Sequence, residues 1–393
     1  MVTVRFVILS VFFFWIRVAA GVETPLPEIP SCARSCTSHE IIYSNCSVTD
    51  QDCLCHDNAY ATKVQTCVLH NCTAKEALVA RNQSLAACHV PMTQLDPLHR
   101  WFPVLLSGLP TLFIIGRLAN KWLGISSWGL DDSTIIPAYL LLAAFLPGSI
   151  LSERAGAGRD IWTLSPDQIT DMLLIVWVFG LLYFFGLAFI KISIVFLYFR
   201  IFPDRKFRKA LWATQVFNLL LLLSFVAGQL TICQPLNLVW EGWTKEVPGK
   251  CFDRNAFIIT HGAINVALDL WMIGLPLTQL YKLRMQLKKK LEVMFMFSLG
   301  IFLTAVSAYR IKAVLVFSTS INASVDSLDT SMWSHIELSV GVVVACLPTT
   351  RQVWMRLFPS ILRVTPKPIP DVPLELSRSN EPIVKNNIEI TTC

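Results

Sequence analysis

Seven long apolar blocks, beginning at Trp101, leave this chain one environment in which to fold. They lie near 101–122, 133–152, 170–199, 211–233, 256–280, 291–317 and 332–350. At a rise of ~1.5 Å per residue, about 20 apolar residues cross the ~30 Å hydrocarbon layer of a bilayer as a helix. Inside lipid a helix satisfies all its backbone groups within the segment, whereas a strand does so only in a closed barrel. The blocks therefore predict an all-α chain with a seven-transmembrane helix bundle over 96–356. Composition agrees: 54% of residues are hydrophobic, 15% are charged and the mean hydropathy is +0.54.

Charge placement predicts the orientation. The net charge of +6 collects in two short connections: Arg200, Arg205, Lys206, Arg208 and Lys209, then Lys282, Arg284, Lys288, Lys289 and Lys290. The connection 318–331 has neither Lys nor Arg. The positive-inside rule then places the N-terminus outside and the C-terminus in the cytoplasm, here of a plasma membrane. This charge reads as a topology signal, not as a nucleic-acid footprint.

The N-terminal part obeys a different logic. Residues 1–20 read as a signal peptide: Arg5, the apolar run Phe6–Ile16, and the small-residue site Val18-Ala19-Ala20. A further segment, 21–95, is predicted to be an extracellular domain. Eight of the twelve cysteines fall between Cys32 and Cys88, which implies an oxidising compartment and a core too small to hold without staples. Cys32 and Cys36 lie four apart, and Cys67 and Cys72 five apart, so each pair occupies nearly one face of a helix. Antiparallel packing would join Cys32 to Cys72 and Cys36 to Cys67. A local loop Cys46–Cys53 then leaves Cys55 for Cys88. Eight cysteines allow 105 pairings, so this is the geometrically preferred set among many. Thr37-Ser-His-Glu40 and Thr73-Ala-Lys-Glu76 read as helix-starting capping boxes. Cys233 and Cys251, both on the outer side, are expected to pair, and Cys346 to be a small packing residue. Sequons predict glycosylation at Asn45, Asn71, Asn82 and Asn322, all on the outer side. The tail 357–393 is polar, carries Pro359, Pro366, Pro368, Pro370, Pro373 and Pro382, and reads as a disordered cytoplasmic segment.

Two resemblances rest on these residues. Pro30, Cys32, Cys36, Cys46, Thr49-Asp50, Cys53-Leu54-Cys55, Cys67, Cys72 and Cys88 resemble the fungal CFEM domain across residues 30–88. That likeness implies a small helical basket at a fungal cell surface. Some CFEM domains bind haem through an aspartate, and the matching residue is Asp50. A carboxylate, as a hard oxygen donor, would favour ferric iron. Ile41, Ile42, Tyr43, Tyr60 and Val64 are candidates for the apolar wall, and His56 is an alternative ligand. The competing reading of Asp50 is a helix cap or turn residue. Zinc is disfavoured, because these thiols would oxidise outside the cell.

The seven spans resemble the fungal receptor-like rhodopsin domain family. Its likeness rests on Gly129-Leu-Asp131-Asp132, Gly156-Ala-Gly158-Arg159-Asp160-Ile-Trp162, the run Lys191–Pro203, Cys233-Gln-Pro235 with Cys251, and Glu337 with Cys346-Leu-Pro348. Asp160 departs from the family, which often has histidine there. Lys191, Asp269, Arg310, Lys312 and Glu337 lie inside apolar blocks, where ionisable groups pair or mark a functional site. Depth along the spans predicts a Lys191–Asp269 pair and an Arg310–Glu337 pair; the alternative is that they only fix helix packing.

Several functions lack their residues. The last block, Met332–Thr350, has no lysine for a retinal Schiff base, so no retinal is expected. There is no P-loop, G-x-S-x-G or H-E-x-x-H, and nothing supports an enzyme. The reading is a G-protein-coupled-receptor-like surface protein that senses an external cue, with a heterotrimeric G protein as a possible partner. The alternative is haem or iron capture, with the bundle as anchor or conduit.

Overall fold

The computed structural model describes residues 29–93, 97–280 and 287–357. The signal peptide read over 1–20, the tail beyond 357, Lys282 and Arg284 lie outside the described residues. The described chain is helical apart from one two-residue strand pair, in keeping with the all-α expectation.

The outer part contains α1 (Ser31–Glu40), a 3-10 turn Ile41–Tyr43, α2 (Gln51–His56), α3 (Asn58–Asn71) and α4 (Ala74–Ala87). Its buried apolar core is tiny: Ala33, Cys36 and Val68, with Val64, Ala77 and Ala80 packed around them. Four disulfides supply what this core cannot. They are Cys32–Cys72, Cys36–Cys67, Cys46–Cys53 and Cys55–Cys88. The first two tie α1 to α3 in two successive turns, as the helical spacing of the cysteines favours. A native disulfide in a small domain is typically worth about 2–5 kcal/mol.

One of the two capping boxes begins a helix. Thr73 and Glu76 satisfy each other's backbone N–H groups at the start of α4. Thr37 does not begin one. It lies inside α1, because the Cys32–Cys72 and Cys36–Cys67 bridges require helix from Ser31 onward, and its hydroxyl donates to the Arg34 carbonyl. Asp57 caps α3, accepting the Ala59 and Tyr60 amides at 3.0 Å.

Among the described residues, seven helices have the length and apolar content to cross a membrane. They are α5 (Pro97–Trp122), α6 (Leu130–Arg154), α7 (Pro166–Ile201), α8 (Arg205–Thr231), α10 (Arg254–Leu280), α11 (Leu287–Thr319) and α12 (Ala323–Leu357); α9 (Leu238–Glu241) is a single turn between α8 and α10. Large apolar side chains such as Leu105, Leu112, Trp212, Leu220 and Leu223 face outward. Such a girdle is incompatible with water over this extent and natural in lipid.

The 36-residue α7 is the central post, packed between α6 and α8 and against α12. A Cβ at Gly186 would come within 2.8 Å of Leu338, so glycine allows α12 its close approach. Phe145 and Phe179 stack with centroids 4.8 Å apart between α6 and α7. The final helix begins at Ala323, about three turns before the apolar block. Asp326 and Asp329 lower the hydropathy there, yet Ser324 and Ser327 bury against the loop above α6, so part of the expected 318–331 connection is helix.

The outer domain is seated on the bundle. Its α4 packs on the turns Ile161–Thr163 and Gly242–Thr244. Lys75 Nζ meets Glu246 Oε2 at 2.8 Å, and the Arg81 guanidinium lies 4.5 Å from the Trp162 ring centroid. The hairpin β1 (Cys233–Gln234) and β2 (Lys250–Cys251), closed by Cys233–Cys251, sits on the same side.

The caps give this domain an acid limit. The Tyr60 amide lowers the Asp57 carboxyl below its usual value, and the Thr73 amide does the same for Glu76. A group depressed in the folded state stabilises above its unfolded pKa and loses that contribution as pH falls through the folded value. The protection factors of the α3 amides in the intact chain, exchange rates corrected for their intrinsic pH dependence, should therefore be flat from pH 7 to about 5 and fall below roughly 4. Asp57→Asn, an equally good cap without a proton to gain, should flatten that acid response.

Candidate functional site

Charge in a bilayer must be compensated, and the bundle does this in two places. The first lies at mid-span between α7, α10, α11 and α12. Lys191 and Asp269, 4% and 7% exposed, form an ion pair. Glu337, 1% exposed, accepts from Tyr183 Oη at 2.7 Å and from Asn265 Nδ2 at 2.9 Å. Ser307 joins the two carboxylates: its Oγ is 2.6 Å from Glu337 Oε1 and 3.2 Å from Asp269 Oδ2. A hydroxyl has one hydrogen, so it serves one of these oxygens at a time.

Arg310 does not pair directly with Glu337 as the sequence suggested. Its Nε donates to Ser334 Oγ at 2.8 Å, and its guanidinium lies 3.7 Å from the Tyr183 ring centroid. Tyr183 stands between the two charges, offering its π face to Arg310 and its hydroxyl to Glu337. Depth along two helices carries no information about a third, and here an aromatic ring from α7 occupies the gap. Lys312, the fifth charge in an apolar block, is exposed beside Tyr309 and takes no part.

Beside this network lies a cavity of about 110 Å³ between the same four helices. Lys191, Asp269 and Glu337 line one end, and Leu197, Tyr198 and Phe202 extend it toward the end of α7. Its wall is otherwise apolar.

The second cluster escaped sequence reasoning. Arg117 of α5 is 1% exposed, with Nε 2.7 Å from Asp132 Oδ1, Nη2 2.5 Å from Asp131 Oδ2 and Nη1 2.7 Å from the Ala345 carbonyl. Lys121 Nζ reaches Asp132 Oδ2 at 2.8 Å, and Arg200 Nη1 reaches Asp131 Oδ1 at 3.7 Å. One arginine fork thus binds α5 to α6 and α12, while Arg200 ties the end of α7 to them. The signal was available: an arginine inside the first apolar block, followed by adjacent aspartates.

On the opposite side, the Asn322 side chain is held within the fold. Its Nδ2, the atom a glycan would take, donates to Asp160 Oδ1 at 2.7 Å, and its Oδ1 accepts the Ile161 amide at 3.0 Å. Ser324 of the same sequon is fully buried. Asp160 Oδ2 also accepts the Thr93 amide at 2.8 Å, so this aspartate clasps the chain leaving the outer domain to the loops above α6 and α11. Asn45 and Asn71 are exposed, and Asn82 is half-buried.

Asp50 is exposed and caps α2, its Oδ1 accepting the Cys53 amide at 3.1 Å. That is the cap reading. Its Oδ2 has no hydrogen bond among the described residues. Ile42, Tyr43 and Val48 stand exposed on the same segment, while Tyr60 and Val64 are half-buried. A carboxylate oxygen without a hydrogen bond, on a segment that also exposes apolar side chains, is a donor that would fit ferric haem and would make its binding redox-sensitive. His56 instead bonds the Asp52 carbonyl at 2.8 Å.

The architecture is thus that of a seven-helix membrane protein with a disulfide-stapled outer domain. The chain matches the Fungal rhodopsin domain over residues 116–356 and the CFEM domain over 25–89, and it belongs to the fungal rhodopsin domain family. Among curated proteins it is similar to a SAT4 family membrane protein of Emericella nidulans, 25% identical over 53% of each chain. It is also similar to Fugralins biosynthesis cluster protein 2 of Gibberella zeae, 26% identical over 48% of each. Receptor GIN3 of Arthrobotrys oligospora is 24% identical over 64% of this chain and 58% of that one. The matches span about half the length of these relatives. No solved structure matches.

The mid-span network makes a sharp prediction. Removing one partner of a buried pair leaves a bare charge and costs about 3–5 kcal/mol, whereas replacing both is often near neutral. Lys191→Met alone should lower the melting temperature of the detergent-purified chain markedly. Lys191→Met with Asp269→Leu should recover most of the loss. A double-variant loss equal to the sum of the Lys191→Met and Asp269→Leu losses would show the pair to be uncoupled.

Proposed function

We propose that the protein is a cell-surface receptor of the plasma membrane, with the CFEM domain outside and the C-terminus in the cytoplasm. The observation that carries this reading is the neutral ionic network of Lys191, Asp269, Glu337 and Arg310, which joins four helices through one hydroxyl and one tyrosine ring. A network of this kind has alternative pairings, and a cue that favours one arrangement shifts the helices that carry it. The outer domain rests on the loops leading into α7 and α10, two of those four helices.

Orientation rests on charge and cysteine chemistry. The five disulfides among the described residues lie in the outer domain or in the loop it touches, and Cys346, toward the opposite end of α12, is unpaired. The basic connections 200–211 and 281–290 then face the cytoplasm. Both carry the positive charge that would suit a heterotrimeric G protein as the coupled partner, and the end of α7 adds the apolar cavity by Tyr198 and Phe202 beside the first of them. A relative carrying the name Receptor GIN3 is consistent with this.

Co-purification tests the coupling. The full chain should retain a G-protein α subunit from native membranes, and replacing Lys288, Lys289 and Lys290 together with Gln should abolish retention at unchanged surface level. No retention by the unaltered chain would contradict coupling.

A second reading is favoured by Asp50 and its exposed apolar neighbours: capture of ferric haem by the outer domain. Ferric haem titrated into the purified chain should give a shifted Soret band that Asp50→Ala removes. An unshifted spectrum would eliminate it.

A further inference from the structure

Where the outer domain meets the bundle, the two surfaces do not close completely. A cavity of about 200 Å³ remains between α4, the Ile161–Thr163 and Gly242–Thr244 turns, and the start of α7. Leu78 and Val79 line it from the outer domain; Trp162, Leu164, Ile169 and Trp243 line it from the bundle. From these walls we infer that the cavity is the site of the external cue, and that the cue is a small, planar, uncharged apolar molecule. This rests on the receptor reading for its meaning but not for its geometry.

The chemistry of the walls selects the ligand. Two indoles and branched aliphatic side chains favour a flat ring that can stack. The Trp243 Nε1–H is already spent on Thr170 Oγ1 at 3.2 Å. Among the described residues, the charged side chains that line the cavity are Lys75 and Glu76, and both have partners. Lys75 pairs with Glu246, and Glu76 Oε2 takes both the amide and the hydroxyl of Thr73 at 2.9 and 2.8 Å. The Glu76 charge, hydrogen-bonded only to neutral groups, repels an anion, and the surrounding indoles and aliphatic side chains give a charged ligand no hydrogen-bonding shell, so a neutral molecule is selected. The volume selects as well. Sites for drug-sized molecules occupy ~300–1,000 Å³, so this one admits about one or two fused rings and excludes a porphyrin. The two haem-binding features, Asp50 and its apolar neighbours, do not line it.

The position gives such a ligand leverage. It would touch the seated domain and the helix that carries Tyr183 and Lys191 at once. By filling space between them it favours the docked arrangement, stabilising it by mass action.

Binding of 5-fluoroindole to the full chain in nanodiscs, followed by ¹⁹F NMR against empty nanodiscs, tests the site. The unaltered chain should show saturable binding that raises its melting temperature, with no competition from ferric haem. Leu78→Trp and Val79→Trp, which fill the cavity from the outer domain, should each weaken binding at least tenfold. Non-saturable binding by the unaltered chain, or binding unchanged in whichever of the two variants keeps its melting temperature, would overturn the inference. Saturable binding with no effect on G-protein retention would leave the site standing and count against the receptor reading instead.

Discussion

The bundle depends on one constraint: a formal charge in hydrocarbon must have a partner. Lys191 meets Asp269 directly, while Arg310 and Glu337 are joined through Tyr183. Arg117 satisfies two aspartates and a carbonyl with one guanidinium, a geometry that a lysine could not copy. These contacts fix which helices can be neighbours. Between lipid-facing apolar helices there is little hydrophobic gain in association, so polar contacts and close packing set the arrangement.

The outer domain obeys a complementary constraint. It has almost no core of its own, so disulfides hold its helices together and a larger body supplies the rest of its apolar burial. Leu78 packs against the main core of the bundle. The Asp160–Asn322 clasp secures the chain where it leaves the domain. The domain is therefore seated on the loops that lead into α7 and α10, which gives a change in the domain a direct route to α7.

The sequence made the helices legible because bilayer thickness forces a long uniform signal. It made the pairing of Cys32 and Cys36 with Cys72 and Cys67 legible because helical spacing is rigid. It did not show the start of α12, where Asp326 and Asp329 hide a helix that extends beyond the lipid. It did not show Tyr183 between Arg310 and Glu337, since depth along a helix carries no information about which face a third helix presents. The cavity beneath α4 was invisible for the same reason: it exists only once two separately encoded surfaces meet. Asn322 matched a sequon perfectly, yet its amide is used within the fold.

The central claim is that the CFEM domain and the seven helices form one mechanical unit. Hydrogen exchange on the intact chain in nanodiscs measures this most directly. The account predicts that the amides of Ala74–Ala87 and of the turn Ile161–Thr163 are protected together and open in one step, and that Asp160→Ala accelerates both. Fast exchange of Ala74–Ala87, independent of the turn and indifferent to Asp160→Ala, would show a tethered domain rather than a seated one.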